Sequence, residues 1–131
     1  MIFDINKWLE WLKQPDNAFN KIPDNGIVGI ISNASGEDIL IISRKQDQID
    51  IRTSKILEEQ RNPVVDIVFI VNNRHFDLIL TSKFEQFKDL VSGNQITASP
   101  LISLEKLQTK KYLEFIGEAG LTIKVNIPGK K

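Results

Sequence analysis

Residues 22–43 read IPDNGIVGIISNASGEDILIIS. Two apolar, β-branched runs, 26–32 and 39–43, flank the polar, glycine-containing NASGED, a pattern that predicts a β-hairpin. The runs are almost continuously apolar instead of alternating, as in strands covered on both faces, so they are expected near the centre of a sheet. Such a hairpin needs covers above and below, and the rest of the chain has to supply them.

Upstream, Ile5, Trp8, Leu9 and Leu12 fall at i, i+3, i+4 and i+7, one face of a helix. Asp4 is placed to cap it, and Phe3 and Trp8 have the spacing of a hydrophobic staple. Pro15 and the polar PDNAFNK end the element. Trp8 and Trp11 are assigned to the core and its partly covered rim. Downstream, QIDIRT alternates around Ile49 and Ile51 as a short strand, before a helix expected over Ser54 to Arg61 and stopped by Pro63. VVDIVFIV (64–71) is a buried strand, NNRH a turn, and FDLILT its antiparallel return. SKFEQFKDLVSG carries Ser82 and Glu85 at capping-box spacing, with Phe84, Phe87 and Val91 inward. SPLISLEKLQTKKYLEFIGEAG reads as one helix from Pro100 to a stop at Gly117, with Leu104, Leu107 and Phe115 among its contacts. LTIKVNI, 121–127, alternates as an edge strand. Hairpins mixed with helices, without βαβ repetition, give an α+β class: a single mixed or antiparallel sheet with helices packed against it, in one compact domain over 1–131.

Composition narrows the function. Seventeen basic residues balance seventeen acidic ones, so no overall field gathers phosphate or anionic lipid, and net charge does not favour nucleic acid. Arg44, Lys45, Arg52, Lys55 and Arg61 form the best basic group, but Asp47, Asp50, Glu58 and Glu59 are interspersed among them. Cysteine is absent, which excludes a disulfide framework and thiolate metal sites. No secretory leader and no membrane-length apolar run is visible, so a soluble, cytoplasmic protein with no membrane partner is expected. His75 is the single histidine and lies at the tip of an expected hairpin, where a solvated loop side chain is expected. No serine sits in a nucleophile elbow, and neither a phosphate-binding loop nor a dinucleotide-binding turn occurs. Asp38 and Lys45 only loosely echo the carboxylate–lysine set of restriction nucleases, because Ser43 stands where the second acid belongs. Asp66 is the lone charge in its apolar strand, so a partner such as an arginine is expected to hold it.

The opening stretch also resembles the first hairpin of GIY-YIG nucleases, with a proline-containing lead-in, a Gly-Ile start at Gly26 and Ile27, and a glycine in the turn. The resemblance extends over about residues 19–95. Val28 occupies the first tyrosine position, Ile39 or Leu40 the second, and an isoleucine the final glycine. The family keeps an arginine in a charged helix after the second strand, to which Arg52 would correspond, as Glu85 would to its metal-binding glutamate and Asn94 to its asparagine. The resemblance implies magnesium at Glu85. The aliphatic side chains at both tyrosine positions imply lost activity, since neither can position water. Two classes of function follow. One is a noncatalytic binding or accessory protein, inhibitor- or immunity-like, that engages a protein partner and needs no cofactor. The other is a degenerate or divergent nuclease or nucleic-acid-binding domain, with Arg52, Glu85 and Asn94 as catalytic candidates.

Overall fold

A computed structural model of the chain describes residues 3–32, 37–56 and 64–121. The opening hairpin is at its centre. Strand β1 (Ile27–Ser32) pairs antiparallel with β2 (Asp38–Lys45), and β2 with β3 (Gln48–Lys55). On its other side β1 pairs in parallel with β4 (Ile67–Val71), which pairs antiparallel with β5 (Ile96–Pro100). The result is one mixed five-stranded sheet of order β3-β2-β1-β4-β5, an α+β fold.

Alternation sorts the strands into two faces. Val28, Ile30, Leu40, Ile42, Ile67, Phe69, Val71 and Ile96 share the face buried under the helices. Ile39 and Ile41 point the other way, against Val65, Ile56 and Ile27, so the described ends of the β3–β4 connection supply the second cover. Both strands of the hairpin are therefore apolar at nearly every position because both faces are dry.

Helix α1 (Ile5–Leu12) starts as its sequence predicts. Lys7 N–H donates to Asp4 Oδ1 at 3.2 Å, and the Phe3 and Trp8 rings meet edge to face with centroids 6.2 Å apart. Trp11 is not on a rim: it is buried as deeply as Trp8. It reaches Phe19, which stands on a 3-10 turn (Ala18–Lys21) inside the stretch that reads as polar. Phe19 is the hub of the core, its centroid 5.4 Å from Trp11, 5.5 Å from Phe69, 5.4 Å from Phe87 and 5.5 Å from Phe115. Buried Asn17 makes that turn possible by donating to the Trp11 carbonyl and accepting from Phe19 N–H.

Several expected elements differ. FDLILT is no returning strand. After a 3-10 turn (Asn73–His75) it forms α2 (Phe76–Leu80), because Phe76 and Ile79, three apart, both reach the core while Asp77 and Leu78 face out. His75 is accordingly half-buried, with Nδ1 enclosed and no hydrogen-bond partner among the described residues, and is not a solvated tip. Helix α3 (Phe84–Ser92) begins at Lys83 without a side-chain cap, so the Ser82–Glu85 capping box does not form. Its Phe84 and Phe87 are inward as expected. The single helix expected after Pro100 is instead the end of β5 followed by α4 (Leu104–Thr109) and α5 (Leu113–Glu118), and Gly117 lies within α5. Ser54 belongs to β3, and the remainder of the helix expected up to Arg61 lies largely outside the described residues, as does the edge strand expected over 121–127.

Three helices finish with the same device. In each, one residue adopts positive φ just past the cap, and the next amide bonds back to a carbonyl in the last turn. Asn94 (φ 62°), Lys111 (φ 68°) and Gly120 (φ 76°) hold that position, and Gln95, Tyr112 and Leu121 donate to Leu90, Leu107 and Ile116. The α4 copy matters most, since its turn delivers Lys110 and Tyr112 to one place.

Candidate functional site

That place is Asp66, which is 5% exposed at the entry to β4. Its Oδ2 accepts from the Tyr112 hydroxyl at 2.6 Å, from Lys110 Nζ at 2.6 Å and from Ile27 N–H at 3.2 Å. The main chain repeats the link: Asp66 N–H donates to the Ile27 carbonyl at 2.8 Å, and Leu101 N–H to the Asp66 carbonyl at 2.8 Å. Ile27 N–H also donates to the Tyr112 oxygen at 2.8 Å. Through its carboxylate and its main chain, Asp66 thus ties the starts of β1 and β4, the end of β5 and the α4–α5 junction together. The lone strand acid is paired, as the cost of burying a bare carboxylate requires, though by a lysine and a tyrosine instead of an arginine. Burial, followed by the hydrogen bond to Asp66 and its negative charge, pushes the Tyr112 hydroxyl far above the usual phenol range, so it stays a donor.

Gly26 belongs to this latch. A Cβ there would lie 2.8 Å from the Tyr112 oxygen and 2.8 Å from the Pro23 carbonyl, so the close approach of Tyr112 to β1 requires glycine. Its match to the start of a Gly-Ile motif has a packing cause.

Three exposed apolar side chains adjoin the latch groups in sequence. Val64, Leu101 and Leu113 are 41%, 54% and 57% exposed, and each lies within two residues of a latch group. Val64 precedes Asp66, Leu101 carries the amide bonded to the Asp66 carbonyl, and Leu113 follows Tyr112. Lys110, one-third exposed through its side chain, is the cation beside them.

The sequence candidates are placed elsewhere and apart. Arg52 lies in β3, as the alternation of QIDIRT predicts, exposed and opposite Ile41, so it is on the face away from the helices. Glu85 is exposed in the first turn of α3, which packs on the helical face, so Arg52 and Glu85 lie on opposite sides of the sheet. Glu85 lines an open groove of about 390 Å³ with Asp16, Lys83, Lys88, Asp89 and Glu118. Asn94 lines a neighbouring groove of about 370 Å³ between α3 and β5, and its positive φ gives it a backbone role at the helix end. Among the described residues no three histidine or acidic side chains form a metal-holding group, and no helix is long and apolar enough to cross a membrane.

Sequence reasoning singles out Asp66 but misses Tyr112 and Lys110. The pair KKYL inside a long apolar–polar run gives no signal until the turn at Lys111 is known.

No known family's sequence profile matches this chain, and no curated protein matches it. Among solved structures it superposes on one described as a UbiJ-SCP2 ubiquinone synthesis protein, with a TM-score of 0.46 and 12% identity over 85% of this chain and 80% of that one. A superposition that loose fixes no activity here.

Proposed function

We propose that this chain is a small noncatalytic accessory protein, inhibitor- or immunity-like, that acts by protein–protein contact through the apolar surface around the Asp66 latch. The observation that carries the reading is that exposed Val64, Leu101 and Leu113 each carry or adjoin a group of the hydrogen-bonded latch, whose Lys110 is one-third exposed. Exposed apolar side chains on a preordered base, rimmed by charge, are the material of a binding face. The Asp66 carboxylate supports the same reading, since Tyr112, Lys110 and Ile27 N–H all converge on one of its oxygens and hold it as a structural anchor. The nuclease alternative would draw on Arg52 and Glu85 together, and these lie on opposite faces of the sheet.

The test is capture of partners from the native host by the wild-type chain and by a Leu101→Glu, Leu113→Glu double variant. A protein retained by the wild type, released by the double variant and little affected by added salt is expected. Retention of nucleic acid that falls steeply with salt would overturn the reading. So would magnesium- or manganese-dependent cleavage that disappears in Arg52→Ala or Glu85→Ala.

A further inference from the structure

Strand β3 is an edge of the sheet, and among the described residues nothing pairs with its outer side. It is eight residues long, contains neither proline nor glycine, and keeps an unbroken ladder to β2 from Asp38↔Lys55 to Lys45↔Gln48. Natural edges are blunted by shortness, prolines, bulges or charged side chains; β3 carries only the last, so its outer backbone groups are available and its charges govern what pairs with them.

Which backbone groups point outward follows from the turn. The two-residue connection Gln46–Asp47 makes Lys45 and Gln48 a doubly hydrogen-bonded pair, after which bonded and non-bonded pairs alternate. The Ile56 N–H to Glu37 carbonyl bond, 3.0 Å, has the same parity at the other end. Hence Gln48, Asp50, Arg52 and Ser54 direct their amides and carbonyls to β2, while Ile49, Ile51 and Thr53 direct theirs outward. Ile49 and Ile51 are half-buried on the helical face, and Asp50 and Arg52 are exposed on the opposite face.

We propose that β3 pairs antiparallel with β3 of a second copy, about a two-fold axis at Ile51, joining two sheets into one. The charges select both the occupant and the register. With the axis at Ile51, Asp50 stands opposite Arg52 of the other copy, and Arg52 opposite its Asp50. Both contacts fall at non-hydrogen-bonded positions, where side chains approach most closely. Moving the axis to Asp50 sets two aspartates face to face, and moving it to Arg52 sets two arginines face to face. Only the Ile51 axis makes both charged contacts attractive. It also lays Ile51 against its own copy and Ile49 against Thr53, covering the exposed part of both isoleucines. This surface is distinct from the apolar face around Asp66, and the proposal does not rest on that reading.

The test is sedimentation equilibrium over a dilution series with the full chain, its Asp50→Arg and Arg52→Asp variants, and the Asp50→Arg, Arg52→Asp double variant. Both positions are exposed, so each variant is expected to keep the circular dichroism spectrum and melting behaviour of the wild type. The wild type should dimerise, each single reversal should raise the dissociation constant by about tenfold or more, and the double variant should recover it. Mixing the two single variants should give a heterodimer tighter than either homodimer, because the paired arginines of the Asp50→Arg chain then face the paired aspartates of the Arg52→Asp chain. A wild type that stays monomeric at its highest soluble concentration would overturn the proposal. So would a dimer insensitive to the reversals, or a mixture no tighter than its parts.

Discussion

Removing one oxygen from the latch tests whether Asp66 is a structural anchor. In Tyr112→Phe the ring and its packing against Phe115 stay, and only the hydroxyl is lost. That hydroxyl has one proton, and its 2.6 Å approach to Asp66 Oδ2, against 3.4 Å to the Ile27 carbonyl, shows where the proton goes. Ile27 N–H retains Asp66 Oδ2 at 3.2 Å, so no buried donor is orphaned. The loss is therefore one charge-assisted bond, about 2 kcal/mol at neutral pH. For a chain of this size that lowers the melting temperature by about 6–10 °C. The dependence on pH is the sharper readout. Tyr112 is the only tyrosine, and its folded-state hydroxyl is held above the ordinary phenol value near 10. A raised value means that its stabilisation is complete below about pH 10 and is lost as pH rises, because the unfolded chain releases the proton first. The wild-type advantage over Tyr112→Phe should thus shrink by about 1.4 kcal/mol per pH unit above 10. Urea melts of both proteins near pH 8 and pH 11, followed by tryptophan fluorescence, measure this, and the tyrosinate absorbance of the folded wild type reports the hydroxyl itself. A constant difference between the two pH values, or tyrosinate forming near pH 10 in the folded protein, would refute the anchor.

Other perturbations test the packing. Trp8→Ala and Phe69→Ala, both at fully buried rings, should each cost about 3–5 kcal/mol in denaturant melts, and a loss under about 1 kcal/mol at either would contradict its place in the core. Gly26→Ala should be worse than Gly29→Ala. At 26 the new methyl meets a backbone carbonyl and the Tyr112 oxygen at 2.8 Å, whereas at 29 its nearest neighbour is the movable end of Ile39 at 2.7 Å; equal melting temperatures would argue against the latch geometry. The helix ends should respond with opposite signs: Lys111→Gly relieves a left-handed residue and gains about 0.5–1 kcal/mol, and Gly120→Ala loses about 1 kcal/mol, as thermal melts would show.

The parts of the fold legible in the sequence are those where one local rule acts alone. The β1–β2 hairpin is readable because two dry faces leave no polar alternation to confuse. Helix α1 is readable because cap, staple and apolar stripe agree. FDLILT is not, since Phe76, Leu78 and Leu80 alternate as in a strand while Phe76, Ile79 and Leu80 have helical spacing, and the choice of helix comes from Phe76 packing against Phe3 and Trp8, contacts more than sixty residues distant in sequence. The break between α4 and α5 is hidden for a different reason: Lys111 takes a left-handed conformation that glycine or asparagine would have announced.

The site is half legible on the same grounds. A single carboxylate in an apolar strand must find donors, so Asp66 can be marked from the sequence alone, but its donors come from a helix junction whose geometry depends on that unannounced turn. Asn94 shows the converse. Its residue type suggests chemistry, yet at the end of α3 it occupies the same left-handed position that Gly120 holds after α5, a backbone conformation that asparagine adopts more readily than most residues. Residues of this chain are therefore best separated by what their absence would break. Tyr112, Lys110, Asp66 and Asn17 hold main-chain segments in register, whereas the side chains of Asp50, Arg52, Leu101 and Leu113 are exposed and are the positions at which the surface can be changed without unfolding the protein.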